Sequence, residues 1–147
     1  MRSIDTEIEI AASAERVWAI LTNFAAYPQW NPFITAVEGR AEEGARLRVC
    51  VRPPGMGPLW FNPSVRALVR QRELSWIGRF FLPGLFDGEH RMSLEDRGRS
   101  CVFRHGERFG GLLVPLAGAR VFEPTRQGFE LMNAALKERA ETGAARA

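Results

Sequence analysis

The chain has little of several features that would define its class directly. Two cysteines in 147 residues are too few for a disulfide scaffold, and Cys50 and Cys101 lack the spacing of a zinc site. No apolar run approaches the ~20 residues that a membrane-spanning helix needs. The N-terminal residues alternate polar and apolar side chains from Ile4, unlike the continuous apolar core of a signal peptide. We therefore expect a cytoplasmic protein without a membrane span.

Lysine is also nearly absent, although the formal net charge is +3. Lys137 is the only lysine, and the arginines are scattered among acidic residues without a basic run or stripe. Because nucleic-acid binding needs concentrated positive charge, this pattern predicts no nucleic-acid partner. The composition, 46% hydrophobic and 25% charged, is typical of a globular protein. We expect one domain over residues 1–147, with a frayed tail at 142–147.

The N-terminal third predicts one strand and two short helices. Residues 4–10 alternate polar and apolar side chains like a strand with one buried face. Ser13 is a good N-cap for the helix that follows, because its hydroxyl accepts a hydrogen bond from a free backbone amide of the first turn. Pro28 then starts a second short helix, which Pro32 ends. Asn31 has two interpretations: a ligand contact, or a side chain that fixes the turn by bonding to local backbone.

The rest of the chain predicts an antiparallel sheet and one long helix. Residues 33–109 contain about six consecutive strands, including a single long strand from Phe61 to Val69. An amphipathic helix follows and runs to about Arg139, with Pro115 in its first turn and a kink or break near Pro124. The fold class is therefore α+β: a curved seven-stranded antiparallel sheet around a long C-terminal helix, with two short helices after the first strand.

The last two strands carry the most informative residues. Alternation along these strands places three polar side chains on the apolar face: His90, His105 and Glu107. The chain contains no other histidine. A hairpin turning symmetrically about residues 97–98 would pair His90 with His105, with β-carbons about 5 Å apart. Glu107 would then lie opposite Gly88, where the missing side chain leaves room. The pattern predicts that all three side chains converge inside the fold.

Three interpretations of His90, His105 and Glu107 remain open at this stage. They form a buried polar network that satisfies its own hydrogen bonds. Alternatively, they form a catalytic or ligand-orienting group, because histidine beside a carboxylate suits proton transfer near neutral pH. As a third alternative, two imidazoles and a carboxylate are adequate ligands for a metal ion, although we expect no metal and no cofactor.

Several segments resemble the START-like superfamily known as SRPBCC, and within it the bacterial polyketide cyclase/dehydrase-like group. These are residues 12–18 with Leu21, residues 27–33, residues 74–76, His105, Glu107, Phe109 and Gly110, and Phe129, Met132 and Asn133 of the last helix. The resemblance covers almost the whole chain. It implies a helix-grip (START-like) fold with a cavity for a hydrophobic ligand between the sheet and the last helix. Only some members of this superfamily catalyse a reaction, so the resemblance implies ligand binding but does not by itself imply catalysis.

The resemblance and the aromatic content together suggest residues that line such a cavity. We expect these to be Trp30, Phe33, Phe61, Trp76, Phe86, Met92, Phe103, Phe109, Phe122, Phe129 and Met132. The first function hypothesis is a module, a monomer or weak homodimer, that binds a small hydrophobic molecule such as a lipid, an aromatic or a polyketide-like compound. The second is a cyclase or dehydratase without a redox cofactor, with His105 or His90 as general base oriented by Glu107. The third is an interaction protein with a filled core.

Overall fold

A computed structural model of the chain describes residues 2–80, 84–116 and 118–145. Its strands are β1 (Arg2–Ile10), β2 (Ile34–Glu38), β3 (Arg48–Val51), β4 (Leu59–Phe61), β5 (Ser64–Val69), β6 (Glu73–Phe80), β7 (Phe86–Asp96) and β8 (Cys101–Gly110). Its helices are α1 (Ala14–Thr22), α2 (Tyr27–Trp30) and α3 (Ala119–Ala145), with 3-10 turns at Phe24–Ala26 and Val114–Leu116. None of the helices in these ranges is long and apolar enough to cross a membrane.

All strand pairs in the described ranges are antiparallel, as predicted, but the strand count differs. Five strands pair in the order β1-β8-β7-β6-β5, and three pair in the order β2-β3-β4. The expected long strand from Phe61 to Val69 is divided into β4 and β5 around Pro63. Because proline has no backbone N–H to donate, it interrupts a ladder of hydrogen bonds. The described residues therefore contain eight strands rather than seven.

Two side-chain caps position the segment between β1 and β2, and both agree with the sequence-based expectation. The Ser13 hydroxyl accepts a hydrogen bond from the backbone N–H of Arg16 at 3.1 Å, which caps α1. Asn31 Oδ1 accepts from the backbone N–H groups of Phe33 at 3.0 Å and Ile34 at 2.8 Å. Asn31 therefore fixes the turn into β2, as the local-backbone interpretation predicts.

Helix α3 differs from its predicted bounds at both ends. It begins at Ala119, so Pro115 lies in the preceding 3-10 turn rather than in its first turn. It contains Pro124 without a break, and a bend at that residue stays a prediction. It continues past Arg139 to Ala145, so residues 142–145 are helical rather than frayed.

The buried face of α3 covers the inner face of the sheet, where it packs against β1 and β8. Phe129, Met132 and Leu136 on this face are fully buried. Gly128 allows a close approach, because a β-carbon at this position would collide with the ring of Phe33 from the α2–β2 turn. The glycine therefore disfavours the helix locally but permits its packing.

The β7–β8 hairpin has a different register from the expected one. A four-residue loop separates Asp96 from its partner Cys101, and the backbone N–H of Arg97 donates to the carbonyl of Ser100 at 2.9 Å. His90 consequently lies opposite Glu107, not His105. The shift is two residues, and since side chains alternate with a period of two, every residue keeps its predicted face.

Candidate functional site

The structure brings His90, His105 and Glu107 together on the inner face of β7 and β8. Oε1 of Glu107 lies 3.2 Å from Nδ1 of His90. Nε2 of His90 lies 2.8 Å from Nε2 of His105. The observed register makes the two histidines diagonal neighbours, a separation that long side chains can span. The three side chains therefore form a chain of hydrogen bonds rather than a cluster around one point.

Two further residues, which the sequence reasoning missed as site residues, extend this chain. Nδ1 of His105 lies 2.9 Å from Oδ1 of Asn133 on α3. Nδ2 of Asn133 donates to Oγ1 of Thr6 on β1 at 2.9 Å, and the Thr6 hydroxyl donates to the backbone carbonyl of His105 at 2.7 Å. We call the five residues the polar chain. It links the sheet to α3.

A signal for these two residues exists in the sequence. Thr6 lies between Ile4 and Ile8, and alternation along β1 places all three side chains on the apolar face of the strand. Asn133 is four residues after Phe129, on the face of α3 that helical spacing predicts to be buried. A polar residue in such a position needs a hydrogen-bond partner, and that requirement would have indicated both residues.

Aromatic rings enclose both histidines. The imidazole of His105 stacks on the ring of Phe129 with centroids 4.1 Å apart and planes 4° apart. The imidazole of His90 stacks on Trp76 with centroids 5.1 Å apart. His90 is only 5% exposed and His105 only 1%. Neither histidine therefore reaches solvent directly.

Burial sets the protonation of the polar chain. It lowers the pKa of His90 to about 3 and raises the pKa of Glu107 to about 8. Burial also lowers the pKa of His105 well below its ordinary value, and the nearby His90 adds to this effect. The hydrogen bonds that His105 donates to Asn133 and to the backbone carbonyl of Phe129 oppose it. At neutral pH, the polar chain therefore contains a carboxylic acid and two uncharged imidazoles.

Glu107 is the accessible end of the polar chain. Its side chain is 16% exposed, and a β-carbon at Gly88 would collide with its second oxygen, Oε2. The space that the sequence predicts beside Gly88 is therefore used by Glu107, although the two residues are not directly paired. Oε2 has no hydrogen-bond partner among the described residues. Nε1 of Trp76, which is buried, has none among them either.

The geometry does not suit a metal ion. The two Nε2 atoms face each other at 2.8 Å, a separation occupied by a hydrogen bond. Within residues 2–80, 84–116 and 118–145, no group of three histidine, cysteine or acidic side chains is arranged to hold a metal. The arrangement of the two imidazoles therefore disfavours the metal interpretation.

Most of the predicted cavity-lining residues are buried between the sheet and the helices. The buried ones are Phe33, Trp76, Met92, Phe103, Phe109, Phe122, Phe129 and Met132. Trp30 and Phe61 are partly exposed, and the side chain of Phe86 lies outside the described residues. Trp76, Phe103 and Phe129 contact the histidines, whereas Phe109 and Phe122 pack against each other with centroids 5.0 Å apart.

Two depressions lie on the protein surface, and Thr6, His105 and Glu107 of the polar chain are among the residues that line one of them. One of about 520 Å³ lies between α1, α2 and the C-terminal half of α3, and Trp30 lines it. The other, of about 540 Å³, is lined mainly by polar and charged residues of β1, β7 and β8 that alternate with the buried ones, such as Glu7 and Arg104. It therefore lies on the sheet face opposite α3. Trp30 contacts Tyr27, whose ring lies 5.2 Å away, rather than the histidines.

An antiparallel sheet that grips one long C-terminal helix, with two short helices after the first strand, is the helix-grip fold of START-like domains. The model of one family, described as polyketide cyclase / dehydrase and lipid transport, matches residues 1–144. The chain belongs to this family. No curated protein matches the chain.

Solved structures agree with this assignment. A START superfamily protein from Mycobacterium smegmatis is 25% identical, with 95% of this chain and 97% of that chain covered and a TM-score of 0.75. The di-domain ARO/CYC BexL from the BE-7585A biosynthetic pathway is 18% identical over 96% of this chain and 47% of that chain, with a TM-score of 0.75. A truncated norcoclaurine synthase from Thalictrum flavum is 17% identical over 94% of this chain and 92% of that chain, with a TM-score of 0.61. The last two show the fold alone.

Proposed function

We propose that the domain binds a small hydrophobic molecule, such as a lipid, an aromatic or a polyketide-like compound, between the sheet and α3. The observation that carries the proposal is Glu107: a partly exposed carboxyl with an unpartnered oxygen among buried apolar side chains. Small-molecule sites are typically apolar and contain a few polar groups that orient the ligand. Burial raises the pKa of Glu107 because it disfavours the charged carboxylate. A core that served stability alone would gain little from such a buried acid.

The surroundings of Glu107 support a ligand position near the N-terminal half of α3. Ile4 of β1 is the register partner of Glu107, and Phe109 follows two residues later on the same face of β8. Phe122 of α3 packs against Phe109. The guanidinium of Arg2 lies over the ring of Phe122, 4.1 Å from its centroid. The ligand would therefore meet an apolar wall with one polar anchor. The unpartnered Nε1 of Trp76 is a second polar group that a ligand atom could satisfy.

A second candidate function is a cyclase or dehydratase without a redox cofactor, and the pKa of Glu107 favours it. An acid with a pKa near 8 holds its proton at neutral pH and can still exchange it. In a dehydration, Oε2 of Glu107 would take the proton from the carbon next to the substrate carbonyl while the proton on Oε1 moves to His90. Oε2 would then give its proton to the departing hydroxyl, which leaves as water, and His90 would return its proton to Oε1. His90 and His105 are too buried to touch a substrate and would act through Glu107.

Ligand binding can be tested with the purified protein. Native mass spectrometry of protein isolated without denaturation should reveal a copurified apolar compound. A titration with 1-anilinonaphthalene-8-sulfonate should saturate at one equivalent and raise the melting temperature, because a ligand of the folded state stabilises it. Leu131→Ala, on the exposed face of α3, is the matched control and should bind the dye like wild type. A protein that neither carries a compound nor binds the dye saturably would have a filled core, and the proposal would be wrong.

We also propose that the chain is one domain, acts in the cytoplasm as a monomer or weak homodimer, and does not bind nucleic acid. The scattered positive charge supports the last point, because a phosphate backbone requires a continuous basic surface. Sedimentation velocity of the protein alone, and with a DNA or RNA duplex, tests oligomeric state and nucleic-acid binding together.

A further inference from the structure

The hydroxyl of Thr6 determines the direction of the polar chain. Its oxygen lies 2.7 Å from the backbone carbonyl of His105, and a carbonyl can only accept. The hydroxyl proton is therefore donated to that carbonyl, so the Thr6 oxygen must accept from the side-chain amide of Asn133. This places the Asn133 amide nitrogen toward Thr6 and its oxygen toward His105.

Each further step follows from the one before it. Since Oδ1 of Asn133 can only accept, Nδ1 of His105 must carry a proton. Because an uncharged imidazole carries one proton, Nε2 of His105 accepts from Nε2 of His90. Nδ1 of His90 is then unprotonated, and the remaining proton lies on Oε1 of Glu107, which donates to it. Every hydrogen bond of the polar chain thus has one direction, from Glu107 to Thr6.

We infer that Thr6 and Asn133 are positioning residues that make Glu107 a hydrogen-bond acceptor toward its ligand, and that the site selects apolar molecules bearing a hydroxyl group. This inference rests on the proposed function. The acid proton of Glu107 is committed to His90, so its free oxygen Oε2 is a carbonyl-type acceptor. A ligand hydroxyl can donate to it. A ligand carboxylate has no proton to donate to Oε2, and its negative charge would face another acceptor in a largely apolar site.

The opposite direction of the chain would have the opposite consequence. If the Thr6 hydroxyl donated to Asn133, the Asn133 amide would donate to His105, His105 would donate to His90, and His90 would donate to an ionised Glu107. That arrangement leaves the carbonyl of His105 without its 2.7 Å donor. It also places an uncompensated carboxylate among apolar side chains, where burial opposes ionisation. Both the hydrogen bonds and burial therefore favour the direction from Glu107 to Thr6.

Nitrogen-15 NMR of the imidazole rings tests the direction without any ligand. The protein has only two histidines, so four ring nitrogens give the complete result. We expect the proton on Nε2 of His90 and on Nδ1 of His105 at neutral pH. Thr6→Val, which keeps the shape but removes the hydroxyl, should populate the other tautomer of both rings. Thr6→Ser should restore the wild-type pattern. The reverse tautomers in wild type would overturn the inference about direction, and no change in Thr6→Val would overturn the positioning role of Thr6.

A set of three probes tests ligand class: 2-naphthol, naphthalene and 2-naphthoate. One hydrogen bond to Oε2 corresponds to a preference of about 3- to 10-fold for naphthol over naphthalene. Naphthoate should bind more weakly than either. In Glu107→Leu, the ratio of naphthol to naphthalene affinity should fall to about 1. If naphthoate bound as tightly as naphthol, the ligand class would be wrong while the proposed function stood. If none of the three probes bound, the proposed function itself would fail, whatever the tautomers.

Discussion

Replacing Glu107 by glutamine should change how the stability of the protein depends on pH. The pKa of Glu107 is about 8 in the folded protein and near 4.5 in the unfolded chain. Between these values the folded state holds one proton more than the unfolded state. The free energy of unfolding therefore falls as pH rises, by about 1.4 kcal/mol per pH unit. Glutamine cannot ionise, and its amide can donate to His90 as the protonated acid does.

The histidines act in the opposite sense over a different pH range. The pKa of His90 is lowered from 6.5 to about 3, and that of His105 is also lowered. Below pH 6.5 the unfolded chain therefore binds protons that the folded protein does not, and stability rises with pH. At pH 6.5 half of the unfolded-state imidazoles still carry a proton, so this contribution ends only about one pH unit higher. Wild type and Glu107→Gln both keep the two histidines, so the difference between their free energies of unfolding isolates Glu107, and from pH 6.5 to 8 this difference should change by roughly 1.6 kcal/mol.

Urea unfolding followed by tryptophan fluorescence at half-unit pH steps from 6 to 8.5 measures this difference. From pH 6.5 to 8 the Glu107→Gln variant should gain about 0.8 kcal/mol from the histidines alone, whereas wild type should lose about 0.9 kcal/mol. Glu95→Gln is the matched control, because Glu95 is exposed and its pKa is lowered by hydrogen bonds from Arg97 and Arg104. Its contribution is lost only as pH falls into the acid range, so this variant should run parallel to wild type. Parallel curves for wild type and Glu107→Gln would show that Glu107 is ionised at neutral pH, and the reasoning would be wrong.

Alternation along a strand predicts the face of a side chain well but not its partner. His90, His105 and Glu107 have the predicted face because a shift of two residues preserves the period of two. The partner depends on the length of the hairpin loop. Glycine at residue 98, with φ +84°, fits more than one loop length, and the closing bond between Arg97 and Ser100 decides the register. The convergence of the site was therefore predictable, whereas its order along the chain was not.

The partnership of Thr6 and Asn133 is harder to predict, because it joins residues 127 positions apart. Spacing indicates that each is on a buried face. It does not indicate how far α3 is rotated or shifted over β1, and a step of one residue along the helix turns a side chain by about 100°. The close fit of Phe33 against Gly128 fixes that placement in the structure. The direction of the polar chain therefore depends on packing that no local pattern contains.

The prolines show the same dependence on context. Pro63 interrupts a strand because it lacks the backbone N–H that would donate to a neighbouring strand. Pro124 removes one hydrogen bond from a helix of 27 residues that is buried along one face. Because tertiary packing provides most of the stability of a helix, α3 continues through Pro124. The sequence analysis instead continued a strand through Pro63 and expected a kink or break near Pro124, so it underestimated the first proline, whereas the helix continues through the second.

Two further substitutions test where the ligand lies. Gly88→Ala should displace the Glu107 carboxyl from His90, destabilise the protein by about 1–3 kcal/mol and reduce naphthol binding. Gly110→Ala, where a β-carbon meets open space, should change stability by less than about 0.5 kcal/mol. Phe129→Ala should destabilise the protein by about 3–5 kcal/mol, because its ring is fully buried and stacks on His105. Urea unfolding measures all three. A loss of that size means tight packing at Phe129, and the ligand must then lie toward Glu107. A loss below about 1 kcal/mol would mean open volume beside Phe129, and the site would extend beneath the middle of α3.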